Sequence, residues 1–229
     1  MNRYLERFGL EKRLFPVIHV ESPEQALRNA ELARKAGADG IFLINHRINP
    51  DMLRYAYRKV REAHPDWFIG INMLNVLFLR TLWLVPKDAD ALWTDTMGVK
   101  ETYHSRCRNP IIRKQDADTF MFQRQSNSQV LWRGIHFGSV AFKGQPEVTE
   151  IKEVTRGSAR YADALVTSGH ATGFPPTLEK TAFIQKAAGE VPLGIASGIS
   201  STNAQSYLPY ADFFLVATGI SDSESELSF

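Results

Sequence analysis

The chain has 229 residues, 44% of them hydrophobic, so it is long enough to bury a large core in one α/β barrel or in two small domains. A formal net charge of +2 indicates no strong electrostatic field, which argues against nucleic acid or an anionic membrane surface as a partner. The single cysteine, Cys107, excludes an intrachain disulfide and a cysteine-rich zinc site.

Neither a signal peptide nor a membrane span is evident. The N-terminal residues MNRYLERFGLEKR are charged and lack the apolar run of a signal peptide. The longest apolar stretch, residues 74–85, is interrupted by Arg80 and is shorter than the ~20 residues that cross a bilayer. We therefore expect a cytoplasmic protein with no membrane-inserted segment.

An Ala-Asp dipeptide recurs before four short apolar runs, at spacings of 51, 73 and 49 residues. Further apolar runs alternate with these, which gives eight candidate parallel strands: 15–20, 41–44, 67–71, 91–93, 130–135, 164–166, 191–196 and 213–216. Eight strands alternating with helical patterns in about 250 residues are typical of a (β/α)8 TIM barrel. We predict one such domain over residues 1–229, with an insertion of about 23 residues between the fourth and sixth strands.

Several helix ends are marked by local signals. A capping box begins at Ser22, Asn49 and Asn75 are predicted N-caps, residues 175–177 open the sixth helix and Gly189 closes it. The repeated aspartates lie where helices give way to strands, which is the lower face of such a barrel, and we interpret them as turn residues rather than catalysts.

The two ends of the chain carry separate expectations. Tyr4, Leu5 and Phe8 predict a short leading helix that covers the barrel floor. Only ten residues follow Gly219, so we expect the final helix to be missing. Either it has been truncated, or the leading helix or a partner subunit, as in a homo-oligomer, covers that wall.

Function in such a barrel collects at the mouth, the rim formed by the carboxyl ends of the strands. Polar residues occur at all eight predicted strand ends, which favours an enzyme over an inert scaffold. The residues at these ends are His19, Asn45 and His46, Asn72, residues 94–96, His136, Thr167 and Ser168, Ser197 and Gly198, and Thr218 and Gly219.

Three of these residues are the catalytic candidates. His19 and His136 each follow an apolar run and could exchange protons near neutral pH, or could simply be satisfied within the barrel. Asp95 is the one carboxylate at a predicted strand end. It shares its alternation with the bulky Phe42 and Trp93, which would turn it toward the helices unless the strand ends or bulges before it.

The remaining candidates concern binding. The substrate-binding candidates are Asn45, Asn72, Thr96 and Thr167, and the phosphate-binding candidates are Ser197, Gly198, Thr218 and Gly219. Loops after strands seven and eight often build a phosphate site in barrels, although glycines are also needed wherever strands turn into loops. Residues 169–173 are either a flap over the site or a bare turn.

The insertion carries a basic run that includes Lys100, His104, Arg106, Cys107, Arg108, Arg113 and Lys114. It either gathers an anionic substrate or is a solvated surface. The histidine spacing predicts no metal site, and only a spatial cluster of His19, Asp95 and His136 could form one. We expect no cofactor. The lysine nearest to a strand end, Lys143, is assigned to a loop.

Several segments together resemble the BtpA/SgcQ family. The segment VTSGHATG at 166–173, with Pro175-Pro176 and Leu178-Glu179-Lys180, resembles its strand-six signature. Residues 191–198, 212–218, 18–19 and 70–72 are similar to its other strands. The resemblance implies a (β/α)8 barrel akin to the ribulose-phosphate-binding barrels, including phosphoribosylanthranilate isomerase. One cyanobacterial branch of the family is linked to photosystem I accumulation.

Two functions are compatible with these observations. The first is an enzyme that acts on a small phosphorylated sugar or nucleoside-like metabolite by acid–base chemistry, as in an isomerisation or a C–N or C–O cleavage. The second is a non-catalytic assembly or biogenesis factor of the BtpA type, which would use residues 74–85 as a docking patch or oligomer interface.

Overall fold

The protein was analysed as a computed structural model that describes residues 2–103, 110–126 and 129–221. Eight parallel strands close into a barrel in the order β1-β10-β9-β8-β7-β4-β3-β2, which confirms the predicted (β/α)8 barrel. These strands are β1 (Arg13–Val20), β2 (Gly40–Asn45), β3 (Phe68–Asn72), β4 (Ala91–Thr94), β7 (Ile135–Ser139), β8 (Ala164–Thr167), β9 (Leu193–Ala196) and β10 (Phe213–Val216); β5 (Lys100–Thr102) and β6 (Ile111–Arg113) form a separate hairpin.

Helices alternate with the strands around the barrel. They are α1 (Arg3–Phe8), α2 (Pro23–Lys35), α3 (Pro50–Ala63), α4 (Phe78–Leu84), α5 (Gln115–Ser126), α6 (Ile151–Ser158), α7 (Leu178–Ala188) and α8 (Ala204–Tyr207), followed by a 3-10 turn at Thr218–Ile220. The predicted caps at Ser22 and Asn49 are confirmed, since each side chain accepts a backbone N–H in the first turn of its helix. The predicted helix start at residues 175–177 is also confirmed, and Thr177 is its cap. The prediction for Asn75 is wrong: α4 begins at Phe78, and Asn75 occupies a left-handed turn with φ 61°.

Aromatic rings fill the interior of the barrel. Phe15, Phe42, Phe68, Phe137 and Phe213 are buried and contact one another, with ring centroids 5.0–6.4 Å apart. Phe42 and Phe213 each lie opposite a glycine of the neighbouring strand, and this leaves room for the rings.

This packing reverses the expected direction of the strand alternation. Phe42, Trp93 and Leu215 belong to the interior cluster, so the bulky positions face the barrel axis and not the helices. Asp95 continues the same alternation two residues after Trp93. The premise that the bulky positions face the helices is therefore wrong, and Asp95, which follows the end of β4 at Thr94, lies at the mouth.

The leading helix α1 covers the floor of the barrel, as predicted. Tyr4 and Phe8 are buried, and their rings lie 5.2 Å from Phe213 and 4.9 Å from Phe68, respectively. These two rings therefore cover the end of the barrel opposite the mouth.

Each repeated aspartate forms two hydrogen bonds with the backbone of one residue of the preceding strand, an arrangement that we call the floor clasp. The backbone amide of Asp90 donates to the carbonyl of Ile69 at 3.1 Å, and its carboxylate accepts the Ile69 amide at 2.9 Å. The same two-way exchange joins Asp39 to Leu14, Asp163 to His136, and Asp212 to Leu193. The assignment of these residues to the stability face is confirmed by these contacts.

The insertion lies between β4 and β7, as expected, and contains the β5–β6 hairpin and α5. The fifth barrel strand was predicted too early, at residues 130–135, whereas β7 begins at Ile135. His104, Arg106, Cys107 and Arg108 lie outside the described residues. So does most of the segment after Gly219 on which the expectation of a missing final helix rests.

Candidate active site

A cavity of about 450 Å³ opens at the mouth of the barrel. Of the residues predicted from sequence, His19, Asp95, Ser197 and Thr218 line it. The lining also includes ionisable or polar residues that the sequence analysis did not select as site residues: His46, Lys143, His170 and Thr172. The mouth therefore combines four residues predicted from sequence with four further polar or ionisable residues.

His19 lies near the end of β1 and faces the barrel axis, in alternation with Phe15 and Val17. Its ring stacks on that of His46, with centroids 4.5 Å apart and planes 12° from parallel. Burial, followed by the nearby His46 and Lys143, lowers the pKa of His19 to about 4. The imidazole is therefore neutral at pH 7 and can accept a proton or a hydrogen bond.

Asp95 follows the last residue of β4 and enters the mouth. Asn72 Nδ2 donates to its Oδ1 at 2.9 Å, and Gln145 Nε2 donates to its backbone oxygen at 2.6 Å. Burial raises the pKa of Asp95, while the Asn72 hydrogen bond and the nearby Lys143 and His46 oppose this change. A half-buried carboxyl group with a raised pKa and a fixed orientation is suited to proton transfer.

Lys143 lies on the loop after β7 and contributes a cation to the mouth. Its Nζ donates to Thr172 Oγ1 at 3.0 Å, and its backbone amide donates to Ser168 Oγ at 2.8 Å. The contact with Thr172 links the β7–α6 loop to residues 169–173, the segment predicted to be either a flap or a bare turn. The prediction that Lys143 lies in a loop is confirmed, and because β7 ends at Ser139 this loop belongs to the mouth.

The four phosphate-binding candidates separate into two pairs. Ser197 and Thr218 line the cavity, whereas Gly198 and Gly219 are not among its lining residues. A Cβ on Gly198 would lie 2.2 Å from Pro175 N, and one on Gly219 would lie 2.1 Å from Ile199 O, so close packing alone requires both glycines. Ser197 has φ 81°, an unfavourable value for a residue with a side chain, and this strain is located at the mouth.

His136 does not reach the mouth, and its prediction as a strand-end residue is wrong. Because β7 begins at Ile135, His136 is its second residue and its side chain points to the helix layer, 4.6 Å from the ring of Phe120. Nε2 lies 2.9 Å from Thr94 Oγ1 and Nδ1 lies 3.1 Å from Tyr161 O. The spatial cluster of His19, Asp95 and His136 therefore does not form.

The substrate-binding candidates are mostly engaged with the protein itself. Asn45 holds the β2–α3 and β3–α4 loops together through Ile48 O and the backbone of Leu74. Thr167 is fully buried and its Oγ1 donates to Ala141 O at 3.4 Å. Asn72 and Thr96 line a small adjoining pocket beside Asp95, and neither lines the main cavity.

No group of three or more His, Cys, Asp or Glu residues with the geometry of a metal site occurs within residues 2–103, 110–126 and 129–221. Over the same ranges, none of the helices is both long enough and apolar enough to traverse a bilayer.

A closed parallel barrel with polar and ionisable side chains at its carboxyl rim defines a (β/α)8 barrel with a candidate active site at the mouth. The BtpA family model matches residues 135–225, so the resemblance inferred from sequence is confirmed for this part of the chain. An uncharacterized protein of Thermococcus kodakarensis is 34% identical over 101 residues, which span 44% of this chain and 37% of that protein.

Two solved structures share the architecture. (S)-3-O-geranylgeranylglyceryl phosphate synthase of Thermoplasma acidophilum, in complex with its substrate sn-glycerol-1-phosphate, superposes with a TM-score of 0.61 at 13% identity, covering 94% of this chain and 88% of the other. Tryptophan synthase subunit alpha of Legionella pneumophila superposes with a TM-score of 0.63 at 18% identity, covering 96% and 87%. These likenesses support the barrel fold.

Proposed function

We propose that this chain is an enzyme that acts on a small phosphorylated sugar or nucleoside-like metabolite by acid–base chemistry at the mouth of the barrel. The observation that carries the proposal is the convergence of His19, His46, Asp95 and Lys143 on one cavity of about 450 Å³. A hydrophobic barrel needs none of these groups for its packing, and two of them have shifted pKa values.

The roles of these groups follow from their charge and burial. Neutral His19 takes a proton from the substrate, and Asp95, oriented by Asn72, exchanges the second proton. Such a pair suits an isomerisation, or the cleavage of a C–N or C–O bond at a sugar carbon. Of the two partners predicted for His19, Asp95 and His136, this assignment keeps Asp95.

An anionic group of the substrate would lie between Lys143 and the hydroxyl groups of Ser197 and Thr218, which line the same cavity. A cation with neighbouring hydroxyl donors is a suitable environment for a phosphate. The complex of the Thermoplasma acidophilum synthase with sn-glycerol-1-phosphate supports a phosphorylated ligand for this fold, and the chemistry of this particular mouth supports it for this chain.

The direct test is proton exchange. The chain is incubated with a panel of pentose and hexose phosphates in D₂O, and loss of carbon-bound protons is followed by ¹H NMR. We expect exchange with at least one compound and its loss, by roughly 100-fold or more, in His19→Ala and Asp95→Asn. Absence of exchange, of product formation and of any thermal shift across the panel would remove the enzymatic proposal.

A matched pair of lysine variants tests the anion site. Lys143→Met removes the cation at the mouth, while Lys87→Met removes an exposed cation at the floor. Binding of the active phosphosugar should weaken by roughly tenfold or more in the first variant only, because a charge-assisted hydrogen bond is lost.

One observation supports the alternative function, a non-catalytic assembly factor. Leu77 and Trp83 near α4, and Phe122 on α5, are 74%, 46% and 67% exposed, respectively. Apolar side chains exposed in this way are typical of interaction surfaces when they form one patch. Sedimentation of the wild type beside Leu77→Ser/Trp83→Ser separates the two readings, since a scaffold would lose its association while an enzyme would retain its exchange activity.

A further inference from the structure

A second cavity, the side groove, lies beside the mouth between the β7–α6 loop and the β8–α7 loop. Its volume is about 590 Å³, and Phe142, Lys143, Gly144 and His170 line both cavities. These shared residues place the two cavities side by side.

Lys180, near the start of α7, lines the side groove. Its Nζ donates to the carbonyls of Ala141 and Ser168 at 2.6 and 2.7 Å. An ammonium group has three donors, so one donor remains after these contacts. Within the described part of the chain, no carboxylate forms an ion pair with Lys180, and burial alone lowers its pKa. The positive charge is thus held by neutral carbonyls.

The backbone that holds the Lys180 ammonium is strained at Ala141. Ala141 has φ 46°, in the left-handed region, and its carbonyl accepts hydrogen bonds from both Lys180 and Thr167. The ammonium is therefore part of a built loop junction and not a mobile surface charge. The one carboxylate among the lining residues is that of Glu147, which is exposed.

We propose that the side groove is a second anion subsite, in which Lys180 binds a carboxylate or phosphate group of a substrate whose first anionic group lies in the mouth. The substrate class would then be a small metabolite with two anionic groups, joined by a segment that contacts the apolar Val148 and Ile151. The pairing of the two subsites rests on the proposed function of the mouth, but binding in the groove can be measured separately.

The experiment is a titration with inorganic phosphate and, separately, with acetate, followed by NMR at backbone amides of each cavity. Val148 reports on the groove and Ala217 on the mouth. In Lys180→Met we expect the Kd at the groove to rise roughly tenfold or more, with the mouth unchanged. In Lys180→Arg, which retains the charge, the Kd at the groove should stay within about threefold of wild type. The control Lys186→Met, which removes an exposed lysine of the same helix, should have the wild-type Kd.

Val148→Glu provides a second variant that leaves the contacts of Lys180 in place. A new carboxylate in the groove should compete for the ammonium and weaken anion binding by roughly tenfold. The proposal is overturned if neither probe shifts the groove amides, or if Lys180→Met and Val148→Glu, when folded, bind as wild type does. Chemical-shift changes at the groove amides without any at the mouth amides would count against the proposed function while supporting this subsite. The probe that binds with the lower Kd, phosphate or acetate, identifies the preferred anion.

Discussion

Asn72 Nδ2 donates a hydrogen bond of 2.9 Å to Asp95 Oδ1, and this contact joins the ends of β3 and β4 at the mouth. Asn72 is itself buried, so its amide is held in place by the barrel and orients the carboxylate in turn. An acid that is fixed by a neighbouring strand needs little reorganisation when it exchanges a proton. The contact accounts for how a residue just beyond a strand end can be part of a defined site.

Replacement of Asn72 by Leu should raise the pKa of Asp95 further, because it removes the hydrogen bond that favours the charged carboxylate. A ¹³C NMR titration of the Asp95 carboxyl carbon measures the change directly. Asn49→Ser, which retains an N-cap on α3, is the control and should leave the titration unchanged. An unaltered Asp95 titration in Asn72→Leu would contradict the role assigned to this contact.

The stability of the protein should depend on pH through His19. An unfolded imidazole binds its proton near pH 6.5, whereas the pKa of His19 in the folded chain is about 4. Between these values the unfolded state binds more protons, so the free energy of unfolding is fully retained above pH 6.5 and falls as the pH drops toward 4.

Urea denaturation across this range should show that the free energy of unfolding falls less in His19→Gln than in wild type as the pH drops, by up to about 3 kcal/mol. His136, whose pKa burial also lowers to about 4, contributes with the same sign and remains in this variant. The exposed His170→Gln serves as the control. Identical pH profiles for His19→Gln and wild type would count against a buried, neutral His19.

The floor clasp of Asp212 should contribute to stability without affecting the mouth. Asp212→Ala deprives the buried Leu193 amide of its carboxylate acceptor, which costs about 1–3 kcal/mol of unfolding free energy. Asp212→Asn keeps an oxygen acceptor and should lose less, and Lys12→Met removes an exposed ion pair of little value. Chemical denaturation ranks the three variants; equal losses in Ala and Asn would argue against the clasp.

Gly194 is required by the ring of Phe213 in the neighbouring strand. A Cβ on Gly194 would lie 2.0 Å from Phe213 Cε2, so Gly194→Ala should destabilise the barrel by about 1–3 kcal/mol through overpacking. Phe213→Leu combined with Gly194→Ala should recover part of this loss, and a double-mutant cycle measures the coupling. Additive effects of the two substitutions would show that the rings do not limit this position.

The sequence alone determined the barrel, the floor helix and three further helix starts, because these depend on local signals. Alternating apolar runs mark strands wherever they pack, and Ser22, Asn49 and Thr177 cap helices through contacts within one turn. The repeated Ala-Asp dipeptide could likewise be assigned to the stability face from its position alone.

Only the tertiary structure decided which side chains share the mouth. Side chains alternate along a strand, so an error of a few residues in where β7 begins moved His136 from the helix layer to the mouth and left Lys143 in an unspecific loop. The aromatic filling of the barrel, which turns Asp95 inward beside Asn72, depends on rings contributed by five distant strands. Local periodicity carries no information about such packing. For this reason the sequence could name His46 at a strand end and Lys143 in a loop, but it could not place these two residues, or Lys180, in a cavity.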